Sequence, residues 1–311
     1  MKNINLRQLQ VFSSAAKHLS FARAAQELHV TPPAISMQIK DLESEVGLPL
    51  FDRSHRRLAL TLAGEYLLVH AHKIFANLQD AGDVMARLKG VAIGELAIGM
   101  VNTAVYFLPG LISQFRHEHP GVKMVLRTGN REELGQMLRD GELDLAIMGR
   151  PPEGLPSHSQ AFADHPLVLI THTDHSFTRM KQVPLDALAE EKFIIREPGS
   201  GTRAALEDFL KDNHLAPEIS MEMAGNEAIK QAVVAGMGVS VLSAHTIALE
   251  RQLDLLAVPE VKGLPIVRRW QLVHNQNKQL SPPAEALKTY ILRHGQEKAD
   301  ELLTNPARAA Y

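Results

Sequence analysis

Glu197-Pro198-Gly199-Ser200-Gly201-Thr202-Arg203 lies between an apolar run at 192–195 and a helical pattern at 203–213. Glycines at a strand-to-helix turn free the backbone, so the first N–H groups of the helix can converge on an anion. Ser200 and Thr202 add hydroxyls, and Arg203 adds a charge-assisted partner. The spacing and the lysine of a Walker phosphate loop are missing. A tight connection alone would also use these glycines. A second polar segment, Val101-Asn102-Thr103-Ala104, stands 96 residues before this one. The expected ligand site therefore comprises Asn102, Thr103, Ala104, Asn130, Glu197, Gly199, Ser200, Gly201, Thr202 and Arg203, with a small anion between two helix starts.

A different chemistry belongs to residues 31–57. Thr31 can cap a helix with Pro32 in its first turn, where a missing N–H costs nothing. Opposite the apolar stripe Ile35, Ile39, Leu42 and Val46 stand Pro33, Ser36, Met37 and Lys40, with Gln38 on the flank. This face has no carboxylate before Asp41, so it can approach base edges and phosphates without repulsion. Arg53, Arg56 and Arg57 follow on a hairpin, where guanidinium groups suit phosphates or a narrow minor groove. Catalysis finds no such grouping. Asp164, His165, His172, Asp174 and His175 cluster in sequence, but His172 and His175 lack the i, i+4 spacing of a helical metal pair. Neither a G-x-S-x-G elbow nor an H-E-x-x-H motif occurs. The expectation is no catalytic residue, no metal ligand and no resident cofactor.

The elements that must hold these groups read as follows. Leu6, Leu9, Phe12, Ala16 and Leu19 mark a helix over 5–18. Ser20 caps a second helix with Phe21, Ala24, Ala25 and Leu28 inward, and Gly47 ends the third. Apolar runs at 48–51 and 58–60 flank the arginines as a β-hairpin wing. Leu67, Ala71, Ile74, Leu78, Ala81, Met85 and Leu88 then recur at 4,3 spacing, a heptad seam for pairing with a second copy. Residues 92–300 hold an internal repeat of strand, helix, strand, helix and strand. It is anchored by Gly129-Asn130 and Gly225-Asn226, 96 residues apart. Alternating strands and helices predict open α/β sheets that bind ligands beyond the carboxyl ends of their strands. The segment IVRRWQLVH and a helix at 282–295 rejoin the first lobe, with hinges near 161–166 and 264–268.

The 311 residues suffice for two domains, and the absence of cysteine removes disulfides and thiolate chemistry. No signal-like segment opens the chain, and no run of about 18 apolar residues suggests a membrane span, so a cytoplasmic protein is expected. The net charge of −2 is uneven. Residues 1–90 carry 11 Lys+Arg against 8 Asp+Glu, and the remainder 22 against 27. A basic head on an acidic body suits a polyanion-binding module.

Residues 4–61, with FARAAQELHVTPPAISMQIKDLESEVGLPLFDR at their centre, resemble the winged helix-turn-helix of LysR-type transcriptional regulators. Thr31, Pro33, Ser36, Gln38 and Arg53 match family-typical positions, whereas many relatives carry Gln where this chain has Pro32. IIREPGSGTR and TPPAISMQIK are similar to the CbbR branch, associated with carbon-dioxide-fixation operons. The resemblance implies an α/β protein with an all-α-type winged head at 4–61 (helix-turn-helix 21–40) and a linker helix at 62–90. A two-lobed effector domain like periplasmic binding proteins follows at 91–305, lobe I being 91–161 plus 267–305 and lobe II 162–266. It further implies double-stranded operator DNA, a sugar phosphate or nucleotide as effector, and a homodimer or homotetramer; RNA polymerase is a further candidate partner. The alternative from another class is an α/β phosphate-binding protein or enzyme with an accessory basic domain.

Overall fold

The computed structural model describes residues 4–52, 58–88 and 94–305, and by backbone contacts it divides near Gly82. In the N-terminal unit, α1 (Leu6–His18) opens with a reciprocal capping box between Asn5 and Gln8. Its buried face is Leu9, Val11, Phe12, Ala15 and Ala16, while Leu6 and Leu19 are about half exposed, so the stripe is turned from the expected one. Helix α2 (Phe21–Glu27) is capped by the Ser20 hydroxyl, which accepts from the Arg23 N–H. Helix α3 (Pro32–Val46) begins at Thr31 and ends at Gly47, whose φ of +78° suits glycine. Contrary to expectation, the Thr31 side chain makes no capping bond; Pro32 and Pro33 set the helix start without it.

A short wing follows, β1 (Phe51–Asp52) pairing antiparallel with β2 (Ala59–Leu60). Phe51 packs edge-on against Phe12 and Phe21. One Glu43 carboxylate oxygen accepts from the backbone N–H groups of Leu50 and Phe51 at 2.8 and 3.2 Å, tying the wing to α3. The long helix α4 (Leu62–Leu88) leaves from Thr61, whose hydroxyl accepts from the Gly64 N–H and donates to the Pro49 carbonyl. A Cβ at Gly64 would lie 2.2 Å from the Leu50 carbonyl oxygen, so only glycine lets α4 start against the wing.

The C-terminal unit opens with β3 (Gly94–Val101), α5 (Leu108–Glu118), β4 (Val122–Gly129), α6 (Arg131–Arg139) and β5 (Leu145–Met148). Strand β3 lies parallel between β4 and β5. Strand β6 (Ser157–Ile170) leads to β7 (Lys192–Arg196), α7 (Gly201–Asp212), β8 (Glu218–Met223), α8 (Asn226–Val234), β9 (Ser240–Ser243) and α9 (Ala248–Gln252). Then β10 (Ile266–Asn275) and α10 (Pro282–Thr304) complete the chain. The main sheet runs β4-β3-β5-β10-β6-β9, and the parallel pair β7-β8 joins it through a bridge between Phe193 and Val239. Strand β10 pairs along β6 from Ile266 to Asn275, and the far end of β6 pairs with β9. The two lobes are thus joined by one antiparallel ribbon. The segment 161–166, expected as a hinge, lies inside β6, with the register shift opposite Trp270 and Gln271; the other, 264–268, runs into the start of β10.

Trp270, the chain's one tryptophan, is fully buried with Phe107 and Phe162 between the sheet, α5 and α10. Two histidines share this region. His165 stacks on Trp270 at 3.8 Å and 14°, and His245 meets the same indole edge-on. Burial pushes the His245 pKa down to about 4 and drives that of His165 well below its ordinary value. Among the described residues, no helix is long and apolar enough to cross a membrane.

Two outcomes follow from this packing. Gly64→Ala should cost about 1–3 kcal/mol through the forced clash with the Leu50 carbonyl, read as a lowered thermal midpoint. For the histidines, the unfolded chain binds protons near pH 6.5 that the folded chain refuses. Stability is therefore full above about pH 6.5 and declines as pH falls toward 4, by up to about 1.4 kcal/mol per unit for each imidazole. Denaturant titrations at pH 7 and pH 5 measure this slope, and His245→Phe should make it shallower.

Candidate functional site

The C-terminal unit has an open cleft lined from both lobes. On one side is the start of α7, where Ser200 stands at the N-cap and its hydroxyl accepts from the Arg203 N–H. Ser200 and Thr202 are buried and line the cleft with Gly201. The first amides of a helix have no intrahelical acceptor and carry the positive end of its dipole. On the other side, Asn102 and Thr103 line the cleft from a turn, because α5 begins only at Leu108. The helix start expected at Asn102–Thr103 is therefore corrected. The helix that opens on this side is α6, whose residue Arg131 lines the cleft beside Asn130.

The two Gly-Asn pairs serve different ends. The Asn130 side-chain carbonyl accepts from the Glu132 and Glu133 N–H groups, and the Glu133 carboxylate accepts from the Asn130 N–H, so Asn130 caps α6. Asn226 is buried; its carbonyl accepts from Arg196, and its amide donates across to the Asn102 carbonyl at 3.4 Å. Gly199, at φ +80°, does not line the cleft, and a Cβ there would press on Glu132 and Asn130. Ala104 is fully buried in the lobe I core.

The expected charges are redistributed. Arg203 does not line the cleft: its guanidinium donates to Glu207 at 2.7 Å and Glu222 at 2.6 Å, which neutralise it on the outer side of α7. Glu197 grips the Arg196 guanidinium with both oxygens at 2.7 Å and is itself outside the lining. Arg196 does line the cleft, already neutralised by this pair. The cations that sequence reading missed are Arg131, Arg150 and Arg268. Arg131 and Arg150 have carboxylates 3.5 Å away, in Glu153 and Asp208. Arg268 has no ion-pair partner among the described residues, and one of its Nη atoms donates to the Gly201 carbonyl at 2.6 Å. Burial, then Arg150 and Arg131, pushes the Arg268 pKa down, so an anion here would relieve an existing cost. His165 also lines the cleft. The missed signal was strand parity: Arg268 shares the face of Trp270, and His165 that of Ala163 and Leu167.

In the N-terminal unit, Thr31, Pro32, Pro33, Met37 and Lys40 are exposed on α3, and Ser36 and Gln38 are partly so. A short polar row of this kind can enter a groove. Arg53, Arg56 and Arg57 lie outside the described residues. Of the heptad seam, Ala71 is buried and Leu67 packs on the head's own core, while Ile74, Leu78 and Met85 are exposed; the side chain of Leu88 is outside the described set. Among the described residues, the groups placed to share a cation are His72, Asp140 and Glu142, within 4.8 Å of one another. Asp140 raises the His72 pKa, as an imidazolium–carboxylate pair does.

Comparison with known proteins agrees with this division. Residues 6–65 match the model of the bacterial regulatory helix-turn-helix protein, lysR family, and residues 89–296 match the LysR substrate binding domain. The chain is 45% identical over 287 residues to the HTH-type transcriptional regulator CbbR of Rhodospirillum rubrum, covering 92% of this chain and 95% of that one. It is 42% identical over 291 residues to the RuBisCO operon transcriptional regulator of Acidithiobacillus ferrooxidans, covering 94% of each. Among solved structures, the Synechocystis PCC6803 CcmR regulatory domain in complex with 2-PG (2-phosphoglycolate) matches with a TM-score of 0.62 and 36% identity. That match covers 64% of this chain and 96% of the other. A winged helix-turn-helix head followed by a two-lobed α/β body, matched in both parts and along most of its length, makes this chain a member of the LysR family of transcriptional regulators.

Proposed function

We propose that this regulator controls a carbon-fixation operon of the RuBisCO type and responds to a small phosphorylated anion bound in the cleft. The observation that carries the ligand class is Arg268, a partly buried guanidinium without a carboxylate, facing the opening turn of α7. A carboxylate- or phosphate-bearing metabolite supplies the missing charge, while Ser200, Thr202, Asn102 and Thr103 supply hydrogen bonds from both lobes. The names of the R. rubrum and A. ferrooxidans relatives support the operon, and the Synechocystis neighbour supports 2-phosphoglycolate as the first probe. A sugar phosphate or a nucleotide belongs to the same chemical class. DNA and such metabolites meet in the cytoplasm, which is the compartment this reading assigns.

In the head, Ser36 reads base edges from the centre of the exposed α3 face, with Thr31, Pro33, Gln38 and Lys40 around it. Arg53, Arg56 and Arg57 contact the phosphate backbone or the minor groove. The exposed apolar residues Ile74, Leu78 and Met85 of α4 pair with a second copy, and a dimer sets two such faces on a palindromic operator. A homotetramer and contact with RNA polymerase extend the same assembly.

Titration calorimetry of the full chain with 2-phosphoglycolate tests the cleft. Arg268→Gln should weaken binding roughly ten- to a hundredfold, the loss of one hydrogen bond to a charged group of about 1.5–3 kcal/mol. Unchanged affinity would remove Arg268 from the site. A mobility-shift assay on the chain's own upstream DNA tests the head: Ser36→Arg should abolish specific binding, because the longer side chain fills the space the groove floor needs. Operator affinity that survives this change would assign the reading to another element.

A further inference from the structure

His165 is a buried base on the wall of the cleft. It sits on β6 directly across the ladder from Arg268 on β10. Its side chain is 3% exposed, and neither ring nitrogen has a hydrogen-bond partner among the described residues. A buried imidazole left in this way has given up its hydrogen bonds to water without replacing them. Gly149 lies beside His165 and Arg268 in the cleft wall. A Cβ there would lie 3.1 Å from His165 Nδ1 and 3.5 Å from an Arg268 Nη atom. Gly149, His165 and Arg268 thus line one stretch of the cleft wall, with no side chain on Gly149 to separate the imidazole and the guanidinium from it.

We propose that His165 is a direct ligand of the effector anion and takes up a proton from solvent when that anion binds, so that occupancy of the cleft is coupled to pH. This rests on the anion-cleft reading above. Burial first, and then the Arg268 cation across the ladder on β10, oppose protonation of His165; His245, from the turn after β9, faces it as a neutral imidazole at pH 7, since burial pushes its own pKa down to about 4. Arg131 and Arg150, beyond Arg268, act on that guanidinium in the same sense, and Asp208 opposes them. On the far side, Asp300 of α10 acts on His245. On its own strand, Asp164 is engaged by Arg269 at 3.2 Å. The empty site thus holds His165 neutral. A dianion beside Arg268 reverses the local sign: it neutralises the guanidinium and favours the imidazolium, with little water to screen either effect. The stacked Trp270 face, 3.8 Å away, also favours a cation above it. A dianionic phosphate is then favoured over a neutral or singly charged isostere by two cations rather than one.

The test is titration calorimetry of the full chain with 2-phosphoglycolate at pH 7.0 in buffers of different ionisation heat, where a phosphomonoester of second pKa about 6 is already mostly dianionic. Wild type should take up about half a proton or more per site, and its Kd should rise toward a limiting tenfold per unit as pH increases. His165→Gln should bind with no uptake and a flat profile. Gly149→Ala, which keeps the imidazole but places a methyl group over Nδ1, should lose the same uptake and decides the matter if the glutamine variant does not fold. Binding by wild type without proton uptake, or undiminished uptake in a folded His165→Gln or Gly149→Ala, overturns the proposal and leaves the anion cleft standing. Absence of binding by wild type to 2-phosphoglycolate and to inorganic phosphate overturns the cleft reading and the proposal together.

Discussion

The effector domain is organised around a guanidinium that its own sequence does not neutralise. Arg268 projects from the ribbon shared by both lobes, donates to the backbone of α7 at Gly201, and stands among Arg131 and Arg150. A partly buried cation in such company costs free energy unless a counter-charge arrives. The other arginines lining the cleft have carboxylates of the chain beside them: Glu197 for Arg196 at 2.7 Å, and Glu153 and Asp208 for Arg131 and Arg150 at 3.5 Å. Among the described residues that line the cleft, Arg268 is the arginine without an ion-pair carboxylate, and it is there that we propose a ligand's negative charge binds.

This placement makes the same ligand a natural effector. Strands β6 and β10 run through both lobes, so a charge bound near Arg268 touches the joint as well as the two walls. Across the cleft, Asn226 reaches the Asn102 carbonyl and the Tyr106 hydroxyl donates to Glu227. These contacts join the two walls in the setting that the structure shows. An anion that binds that setting better than others shifts the population toward it, by no more than its difference in affinity. In the site proposed above, Asn102 and Thr103 on one wall and Ser200 and Thr202 at the start of α7 on the other would supply that difference, because a ligand meets both only when the walls are close.

Much of this was legible in the chain. Capping residues such as Ser20, the terminating Gly47 and the paired Gly-Asn signals predict elements that the structure contains, because each acts through local backbone geometry. The glycine-rich loop before α7 was likewise readable, and Ser200, Gly201 and Thr202 do line the cleft. What escaped depends on distant partners. Arg203 looked like the anion's cation from its position, but Glu222, on another strand, engages it. Arg268 lies in IVRRWQLVH, read only as a strand rejoining the first lobe, and His165 in a cluster weighed for a metal and set aside; their neighbouring places in the cleft wall appear only when β6 and β10 are laid side by side. Asn102 and Thr103 reach the cleft from a turn rather than a helix start, since Pro109 fits only the first turn of a helix beginning at Leu108.

The measurement that bears most directly on this account is a crystal structure of the full chain with 2-phosphoglycolate. The account predicts the phosphate within hydrogen-bond distance of the Arg268 guanidinium and of Ser200 or Thr202 at the start of α7, with Asn102 or Thr103 closing on the ligand from the opposite wall. A phosphate seated elsewhere, with Arg268 still bonded only to the Gly201 carbonyl, would contradict it.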